Sequence, residues 1–425
     1  LMQQIVPEEQ FAVGTSVKAV PKEEKDSPLT SGTIIQIREH QGRLEYYVKF
    51  NPPKDPRLSD WYVYSELEFV SQLSPYFKPP KANEVRNVEH VTMSEFRLRT
   101  WYFSPFPPPF NQCQELFICP RCLRYTPSQQ SYNNHIQKCV QTVPGLKIYD
   151  DGIIAFYEID GRTEKLFCQF LSLFSKLFLD GKSLYYNCEH FVYYVMTVRN
   201  TVLHQEVARL ISQPSANKNQ IESKNRIENP DSEHIPQKKE SKKEKEKDDE
   251  TIVGYFSKEK LSQNVLSCIL TFPQYLRLGI GSILMDLSYL LARTENRVGG
   301  PEEPLSDLGA QSFQAYWRRR LLKHLLTQEP GETLYVSLAD AAYETGIIAK
   351  HLLLAAEELK LKLKQGDLIC NRATWQKLME AWQAELLARK NRGILSFHEI
   401  DCKHMVWEPY PAMFLACDVK DDKQE

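Results

Sequence analysis

The sequence lacks three features that would indicate a specialised class of protein. Ten cysteines among 425 residues are too few for a disulfide scaffold and favour a reducing compartment. The formal net charge is only −2, so bulk charge predicts no polyanionic partner. No apolar run approaches the roughly 20 residues that a membrane-spanning helix needs. What remains is a globular chain with 42% hydrophobic residues, long enough for two to four domains.

The first region with a clear pattern is a small β module over residues 11–75. Short β-rich runs at 31–37, 44–50 and 60–64 are separated by turn residues. Two interpretations fit the aromatic side chains concentrated there: the core of a small barrel, or part of a cage that binds a methylated lysine through cation–π contacts. These aromatic residues are Tyr46, Tyr47, Phe50, Trp61, Tyr62 and Tyr64.

A metal-ligand pattern of the form C-x2-C-x12-H-x3-C comes next. Tetrahedral zinc takes thiolate and imidazole ligands at such intervals. The predicted ligands are Cys119, Cys122, His135 and Cys139. Cys113 lies six residues upstream of the first ligand and fits no such pair. The helix predicted at 128–134 has no basic residue before Lys138, which favours a structural finger over one that reads DNA.

Local patterns predict the elements beyond the finger. A hairpin is expected to turn on Asp160-Gly161, and apolar spacing predicts a helix over 169–179. Residues 203–250 have dense mixed charge and almost no large apolar side chains, which predicts a disordered insertion. Its lysine runs also fit a targeting signal or a nucleic-acid contact, and a solvated linker is the simpler interpretation. The region after residue 332 shows two or more helices.

One stretch has the pattern of an anion site. An apolar run at 265–272 turns at Pro273, passes Gly279 and Gly281, and continues into a helical pattern. The backbone N–H groups and the dipole at such a helix start attract anions, although many strand–turn–helix units bind nothing. Cys268 lies in the strand, where a cysteine is usually a small hydrophobe. Composition alone would make Glu302 and Glu303 solvated loop charges.

Several long motifs resemble the MYST family of histone lysine acetyltransferases. They are CILTFPQYLRLGIG (268–281), PEEPLSDLG (301–309), VGYFSKEK (253–260), KLFLDGKSLYY (176–186) and WYFSPFP (101–107). YYVKF followed by RLSDW resembles the chromo-barrel of MOF-type members. The resemblance covers most of the chain and implies an α+β fold: a small β-barrel (chromo-barrel or Tudor-knot), then a MYST domain with a C2HC zinc finger. A GNAT-like acetyl-CoA-binding core and a winged-helix-like C-terminal region would complete it.

The same resemblance implies domain limits and a function. The expected limits are 11–75 for the barrel, 76–82 for a linker, 83–145 for the finger region, 146–330 for the catalytic core and 331–412 for the C-terminal region. The implied function is transfer of acetyl from acetyl-CoA to a histone-tail lysine, usually of histone H4, by a nuclear, zinc-containing enzyme. Chromatin-complex subunits would be partners, and the barrel could contact methyl-lysine or RNA. A catalytically weak chromatin scaffold and a small-molecule acetyltransferase are the competing hypotheses.

The resemblance also assigns roles to residues. Glu302 would be the general base, and Cys268 would face the thioester, with both direct attack and an acetylated cysteine left open. Lys182 matches an autoacetylated lysine, whereas composition alone would make it a solvated turn residue. Acetyl-CoA would contact Ile269, Leu270, Thr271, Arg277, Leu278, Gly279, Ile280, Gly281, Ser282 and Ser306.

The chain departs from the family pattern around the glycine turn. Leu276 stands where the family has a polar residue, and Ser282 stands where a lysine or arginine is common. A second family serine is replaced near Ala315. These departures predict that pyrophosphate binding depends on backbone N–H groups.

Overall fold

The computed structural model describes residues 11, 13–24, 27–52, 54–71, 85–180, 182, 186–212, 222–223, 249–328 and 330–409. The predicted linker at 76–82 lies outside these ranges. Within them, no helix combines the length and the apolar character needed to cross a membrane.

The N-terminal module is a five-stranded antiparallel sheet in the order β4-β3-β2-β1-β5. Its strands are β1 (Ser16–Ala19), β2 (Thr30–His40), β3 (Arg43–Phe50), β4 (Asp60–Val63) and β5 (Glu68–Ser71). Gln41 and Gly42 both have positive φ and form the two-residue turn between β2 and β3. Of the six aromatic residues singled out in the sequence, five are at most 4% exposed: Tyr46, Phe50 and Tyr62 lie in the core of the module, and Tyr47 and Trp61 pack in a second cluster with Val85.

The next region is a small sheet joined to one helix. It consists of β6 (His90–Met93), β7 (Phe96–Arg99), β8 (Glu115–Ile118), β9 (Tyr125–Thr126) and α1 (Gln129–Lys138). Ser128 caps α1 by accepting a hydrogen bond from the Ser131 amide. The helix thus starts where the sequence predicts it and runs four residues further.

The central region is built on a five-stranded antiparallel sheet in the order β10-β11-β12-β14-β15. Its elements are β10 (Leu146–Asp150), β11 (Ile154–Asp160), α2 (Lys165–Lys176), β12 (Phe191–Arg199), α3 (Asn200–Ser212), β13 (Glu222–Ser223), β14 (Glu250–Glu259), β15 (Cys268–Thr271), α4 (Ile280–Thr294) and α5 (Asp307–Leu326). The short strand β13 joins the preceding sheet instead, beside β7.

The predicted hairpin at Asp160-Gly161 is wrong, because β11 leads into α2. The hairpin lies one strand earlier, where the Asp151 carboxylate accepts the amides of Ile153 and Ile154 between β10 and β11. Gly161 is required for a different reason: a Cβ there would lie 1.9 Å from the Cys188 carbonyl oxygen.

The predicted start of the insertion at residue 203 is also wrong. Residues 203–212 belong to α3, where Leu203 and Glu206 are each 3% exposed. Glu250 lies in β14 and forms ion pairs with Lys147 and Arg199 at 2.9 Å. The apolar residues of α3 that pack against the core, such as Leu203, Val207 and Leu210, are spaced three to four residues apart. Because polar residues separate them, the average composition of the segment does not reveal this helical spacing. The remainder, 213–221 and 224–248, lies outside the described residues.

The C-terminal region combines a three-stranded antiparallel sheet, in the order β16-β18-β17, with four helices. Its elements are β16 (Thr333–Ser337), α6 (Leu338–Thr345), α7 (Ala349–Glu358), β17 (Lys362–Lys364), β18 (Asp367–Asn371), α8 (Arg372–Arg392) and α9 (Ile394–Phe397). One hydrophobic core runs from Val88 to Leu395 through all three later regions, whereas the N-terminal module has its own.

Ion pairs join the N-terminal module to the rest of the chain. Asp60 of β4 accepts Arg86, whose side chain is 2% exposed, and also Arg99 at 2.6 Å. Arg38 of β2 pairs with Glu89 at 2.7 Å. Because a buried arginine is costly without its partner, Asp60 fixes where the module docks.

Candidate active site

The strand–turn–helix unit predicted from the sequence is present. Strand β15 pairs with β14, so that Cys268 lies opposite Ser257 and Thr271 opposite Gly254. The chain then makes a short 3-10 turn at Pro273–Tyr275 and enters α4 at Ile280. The amides at the start of α4 have no acceptor in their own helix one turn earlier, which gives this end positive potential.

The glycine turn is closed tightly by the C-terminal region. Gly279 has a φ of 92° and caps α4, and a Cβ on it would lie 2.6 Å from the Cα of Ser396. Arg277, two residues earlier, also has a positive φ of 69° and is exposed. Glycine at 279 therefore serves both the left-handed conformation and the close approach of the turn that contains Ser396.

The predicted cofactor contacts fall into two groups. The side chains of Leu270, Leu278 and Ile280 are at most 6% exposed and belong to the core, so only their backbone can face a ligand. The residues that keep accessible surface are Ile269, Thr271, Arg277, Gly279, Gly281, Ser282 and Ser306. Ser306 caps α5, and its hydroxyl accepts the Gly309 amide at 3.1 Å.

Glu302 lies beside the strand that leads to Cys268. Its amide donates to the Leu266 carbonyl at 2.9 Å, and Pro301 forms a parallel bridge with Leu266. The Glu302 side chain is exposed, and within the described ranges it has no recorded hydrogen bond or ion pair. The carboxylate therefore faces solvent, while the Glu302 backbone is tied to a residue two positions before Cys268.

Glu303 is held elsewhere. Both of its oxygens lie 2.9 Å from Lys350 Nζ, and Oε1 lies 3.3 Å from His351 Nε2. The hydrogen bond with Lys350, helped by that with His351, lowers the pKa of the Glu303 carboxyl. The two neighbouring glutamates thus have different environments.

Lys182 is not the solvated turn lysine that composition suggests. It is 6% exposed, and its Nζ donates to the Cys268 Sγ at 3.8 Å. Cys268 itself is half-buried. The structure thus brings the buried Lys182 amine and the Cys268 thiol together at the start of β15.

Arg319 is a residue that sequence reasoning missed. Its guanidinium, on α5, donates to the Ser282 hydroxyl at the start of α4. The only sequence signal is the run of three arginines at 318–320, which has no motif character. The contact depends on how two helices pack, so no local pattern predicts it.

The four predicted metal ligands lie together, with their ligand atoms within 4.8 Å of one another. Cys119 Sγ lies 3.8 Å from Cys139 Sγ, and Cys122 Sγ lies 3.2 Å from His135 Nε2. Tetrahedral zinc with Zn–S bonds of about 2.3 Å separates its thiolates by about 3.8 Å, so the donor set fits this ion. Cys113 takes no part, because its thiol faces the Pro109 carbonyl.

Comparisons with known proteins agree with this geometry. The chain matches a model of the MOZ/SAS family over residues 142–225 and 242–396, and a model of the MYST family zinc finger domain over 85–139. The unmatched stretch at 226–241 falls inside the predicted insertion. The predicted family and its zinc finger are confirmed, as is the mixed α and β content.

Curated relatives are named as histone acetyltransferases. The chain is 33% identical to "Histone acetyltransferase of the MYST family 2" of Arabidopsis thaliana, over 77% of this chain and 61% of that protein. It is 35% identical to "Histone acetyltransferase SAS3" of Saccharomyces cerevisiae, over 64% and 30% respectively. It is 38% identical to "Histone acetyltransferase ESA1" of Gibberella zeae, over 58% and 41%. The chain thus spans at most about three fifths of the length of these relatives.

Proposed function

The chain belongs to the MOZ/SAS family, and from that premise we propose that it transfers an acetyl group from acetyl-CoA to the ε-amine of a histone-tail lysine, with histone H4 as the substrate. The observation that carries the proposal is the hydrogen bond from the Glu302 amide to Leu266. It ties the Glu302 backbone to a residue two positions before Cys268, and the strand that begins at Cys268 leads through the glycine turn to the anion-attracting start of α4.

Glu302 acts as the general base. A lysine ammonium titrates near 10.4, so at neutral pH it must lose a proton before it can attack. The carboxylate accepts that proton, and the neutral amine bonds to the carbonyl carbon of the thioester. The C–S bond breaks, the attacking nitrogen gives up a second proton as the amide forms, and coenzyme A takes up one proton and leaves as its thiol. The backbone of residues 269–271 and the amides at the start of α4 would hold the acyl and pyrophosphate groups.

Cys268 and Lys182 line the acetyl end of this site. The 3.8 Å contact between them supports the assignment of Lys182 as an autoacetylated residue, because an acetyl group presented at Cys268 is within reach of its amine. Replacement of Cys268 by alanine distinguishes the two routes. Direct attack would survive the change, whereas an acetylated cysteine would be required for turnover in the other route.

The remaining assignments concern the domains around the site. The finger would hold one zinc ion in a structural role. The β4-β3-β2-β1-β5 sheet supports a chromo-barrel, and β16–β18 with α6–α8 supports a winged-helix-like region. The domain limits stay as predicted, except that the insertion begins after Ser212 and ends before Glu250. A nuclear location and chromatin-complex partners follow from a histone substrate.

A ligand for the barrel would need an aromatic face that is still open. Arg38 already covers the Trp61 ring at 4.0 Å, and Lys22 lies 5.0 Å from the Tyr62 ring. The stacked rings of Phe11 and Tyr64, 4.7 Å apart, lie next to Phe69, which is 52% exposed. A methyl-lysine or an RNA base would therefore bind at the cluster formed by Phe11, Tyr64 and Phe69.

The test is thiol release from acetyl-CoA with three acceptors: an H4-tail peptide, the same peptide with every lysine replaced by arginine, and spermidine. We expect turnover with the first peptide alone. Turnover with spermidine and not with peptide would make the chain a small-molecule acetyltransferase. Binding of the peptide with no thiol release would leave it a scaffold.

A further inference from the structure

The start of α4 receives a positive charge from another helix. Ser282 is the third residue of α4 and is uncharged, and Arg319 of α5 donates a hydrogen bond to its hydroxyl. Ala315 lies one helical turn before Arg319 on the same face of α5 and offers no polar side-chain atom. The guanidinium is therefore directed at the first turn of α4.

Arg319 differs from the two arginines beside it. Arg318 pairs with Glu385 at 3.8 Å, and Arg320 pairs with Asp286 at 3.4 Å. In the part of the chain that the structure describes, no carboxylate lies within 4.0 Å of Arg319, and its recorded partner is the Ser282 hydroxyl. The middle arginine thus has no carboxylate in direct contact, and Glu385 and Asp286 act on its charge only from further away.

A second guanidinium lies close to the same place. Arg389 of α8 donates to the Ser396 carbonyl at 2.8 Å, and Ser396 packs on Gly279. Burial lowers the pKa of the half-buried Arg319 guanidinium, and the charge of Arg389 lowers it further. Two arginines and a helix N-terminus that share one location repel each other unless an anion joins them.

We propose that Arg319 binds the pyrophosphate of acetyl-CoA and supplies the cation that is missing at position 282. The Ser282 hydroxyl orients the guanidinium, whose planar N–H groups suit two phosphate oxygens. This proposal rests on the proposed function, since it names a contact to the same substrate. It adds a side-chain contact to the backbone N–H groups on which pyrophosphate binding is expected to depend.

The test is calorimetric titration of coenzyme A into Arg319→Ala, with Arg318→Ala as the matched control on the same helix. A lost charge-assisted hydrogen bond raises the Kd about tenfold or more. We expect that rise for Arg319→Ala alone, together with a raised KM for acetyl-CoA and an unchanged kcat at saturation. Equal Kd values for the two variants would overturn the proposal.

A truncated substrate separates a pyrophosphate contact from general damage. Acetyl-pantetheine has the thioester but no pyrophosphate, so Arg319→Ala should use it as well as the unmodified protein does. A loss that is equal for both substrates would overturn the proposal. Adding Ser282→Lys to Arg319→Ala should restore coenzyme A binding, because the charge returns to the same place. Failure of the unmodified protein to bind coenzyme A would instead contradict the proposed function.

If Arg319→Ala does not fold, the Kd for coenzyme A is compared between Arg319→Lys and its control Arg318→Lys instead. Lysine keeps the charge and loses the two-pronged geometry, so a weaker rise in Kd is expected for Arg319→Lys alone. An unchanged Kd in both lysine variants would count against the proposal.

Discussion

Glu302 and Glu303 are neighbours in sequence with opposite environments. Glu303 is tied to Lys350 and His351, and His351 in turn stacks on Trp317 with ring centroids 3.9 Å apart. Glu302 has only its backbone fixed. One residue therefore anchors the loop, and the other keeps its carboxylate free for the substrate contact proposed above.

Replacing Glu302 by glutamine should keep the shape of the loop and remove the proton acceptor. We expect kcat to fall by about 10²–10⁴ at neutral pH, the usual contribution of a general base. The loss should shrink as the pH rises, because more of the lysine substrate is then already neutral. Initial rates from pH 6 to about 9.5 would measure both effects.

Glu303→Gln is the control for this experiment, because it changes only an exposed ion pair, which water and salt screen. It should leave kcat within a few-fold of the unmodified protein. A Glu302→Gln protein with an undiminished rate at neutral pH would refute the role of Glu302.

Residue-level predictions are possible where the residues form a continuous string. Cys268 and Glu302 can be identified because each lies inside a motif. Arg319 cannot, since it is 37 residues away from Ser282 and reaches it only through helix packing. Lys182 is assigned by resemblance, and its burial could not be predicted from a loop of polar residues.

At the scale of elements, the finger should depend on its metal. Cys122→Ala removes one thiolate, and metal binding supplies much of the folding free energy of such a site. We expect the variant to lose its single zinc ion and to unfold in the region of β8, β9 and α1. Zinc content by atomic emission and the thermal midpoint of unfolding would measure this.

Cys113→Ala is the matched control, since this thiol lies outside the ligand set. It should keep one zinc ion per chain. A Cys122→Ala protein with full zinc content would contradict the assigned ligands.

The turn between β10 and β11 should make stability depend on pH. Burial alone would raise the pKa of the Asp151 carboxyl, but hydrogen bonds with His398, the amides of Ile154 and Ile153, and the Tyr149 hydroxyl outweigh it and lower the pKa. A lowered folded-state pKa stabilises the protein above the unfolded value, near 3.9, and this contribution is lost as the pH falls towards the folded value.

Asp151→Asn should therefore reduce the free energy of unfolding by about 1–3 kcal/mol at neutral pH, and by less near pH 3. Urea titrations at the two pH values would measure the difference. Glu399→Gln, which alters an exposed pair with Lys323, should change little at either pH. An equal loss for Asp151→Asn at both pH values would show that the effect is not carried by its charge.

The bend at Asp160-Gly161 explains an error in the predicted elements. This dipeptide has the composition of a hairpin turn, yet it leads into a helix, because the polypeptide near Cys188 packs directly against Gly161. A turn dipeptide specifies that the chain bends, and long-range packing determines which element the bend leads into. Strands with a dense apolar pattern, such as β12, are predictable because burial on both faces leaves few polar positions.

At the scale of the whole molecule, α3 packs against the turn of the C-terminal region that contains Gly393 and Ser396. Glu206 of α3 is so close to Gly393 that a Cβ there would lie 2.0 Å from its carboxylate oxygen. Three residues later, Ser396 packs on Gly279. The helix before the insertion therefore supports the turn that packs on the glycine turn at Gly279, which composition could not reveal.

Residues 213–248 should be dispensable for catalysis. The linker that replaces them must leave α3 intact and reach from the end of this helix back to Asp249. The Asn200 amide donates to the Asp249 carbonyl, and α3 carries the chain about 18 Å away from it. A Gly-Ser linker of about 12 residues spans that distance. We expect turnover within about twofold of the unmodified protein, and a thermal midpoint that falls only by the contribution of the two-residue edge strand β13.

A second deletion, of 203–248 with the same linker, is the control, because it also removes Leu203 and Glu206. It should lower the thermal midpoint and turnover together. If the shorter deletion abolished turnover while the protein stayed folded, the insertion would have a part in the reaction.

The most direct test of the whole account is mass spectrometry of an H4-tail peptide incubated with isotope-labelled acetyl-CoA and this chain, with Glu302→Gln in parallel. The account predicts labelled acetyl on a peptide lysine with the unmodified protein, and a strong reduction with the variant at neutral pH. An unlabelled peptide in the presence of a folded, zinc-loaded protein that binds coenzyme A would contradict it.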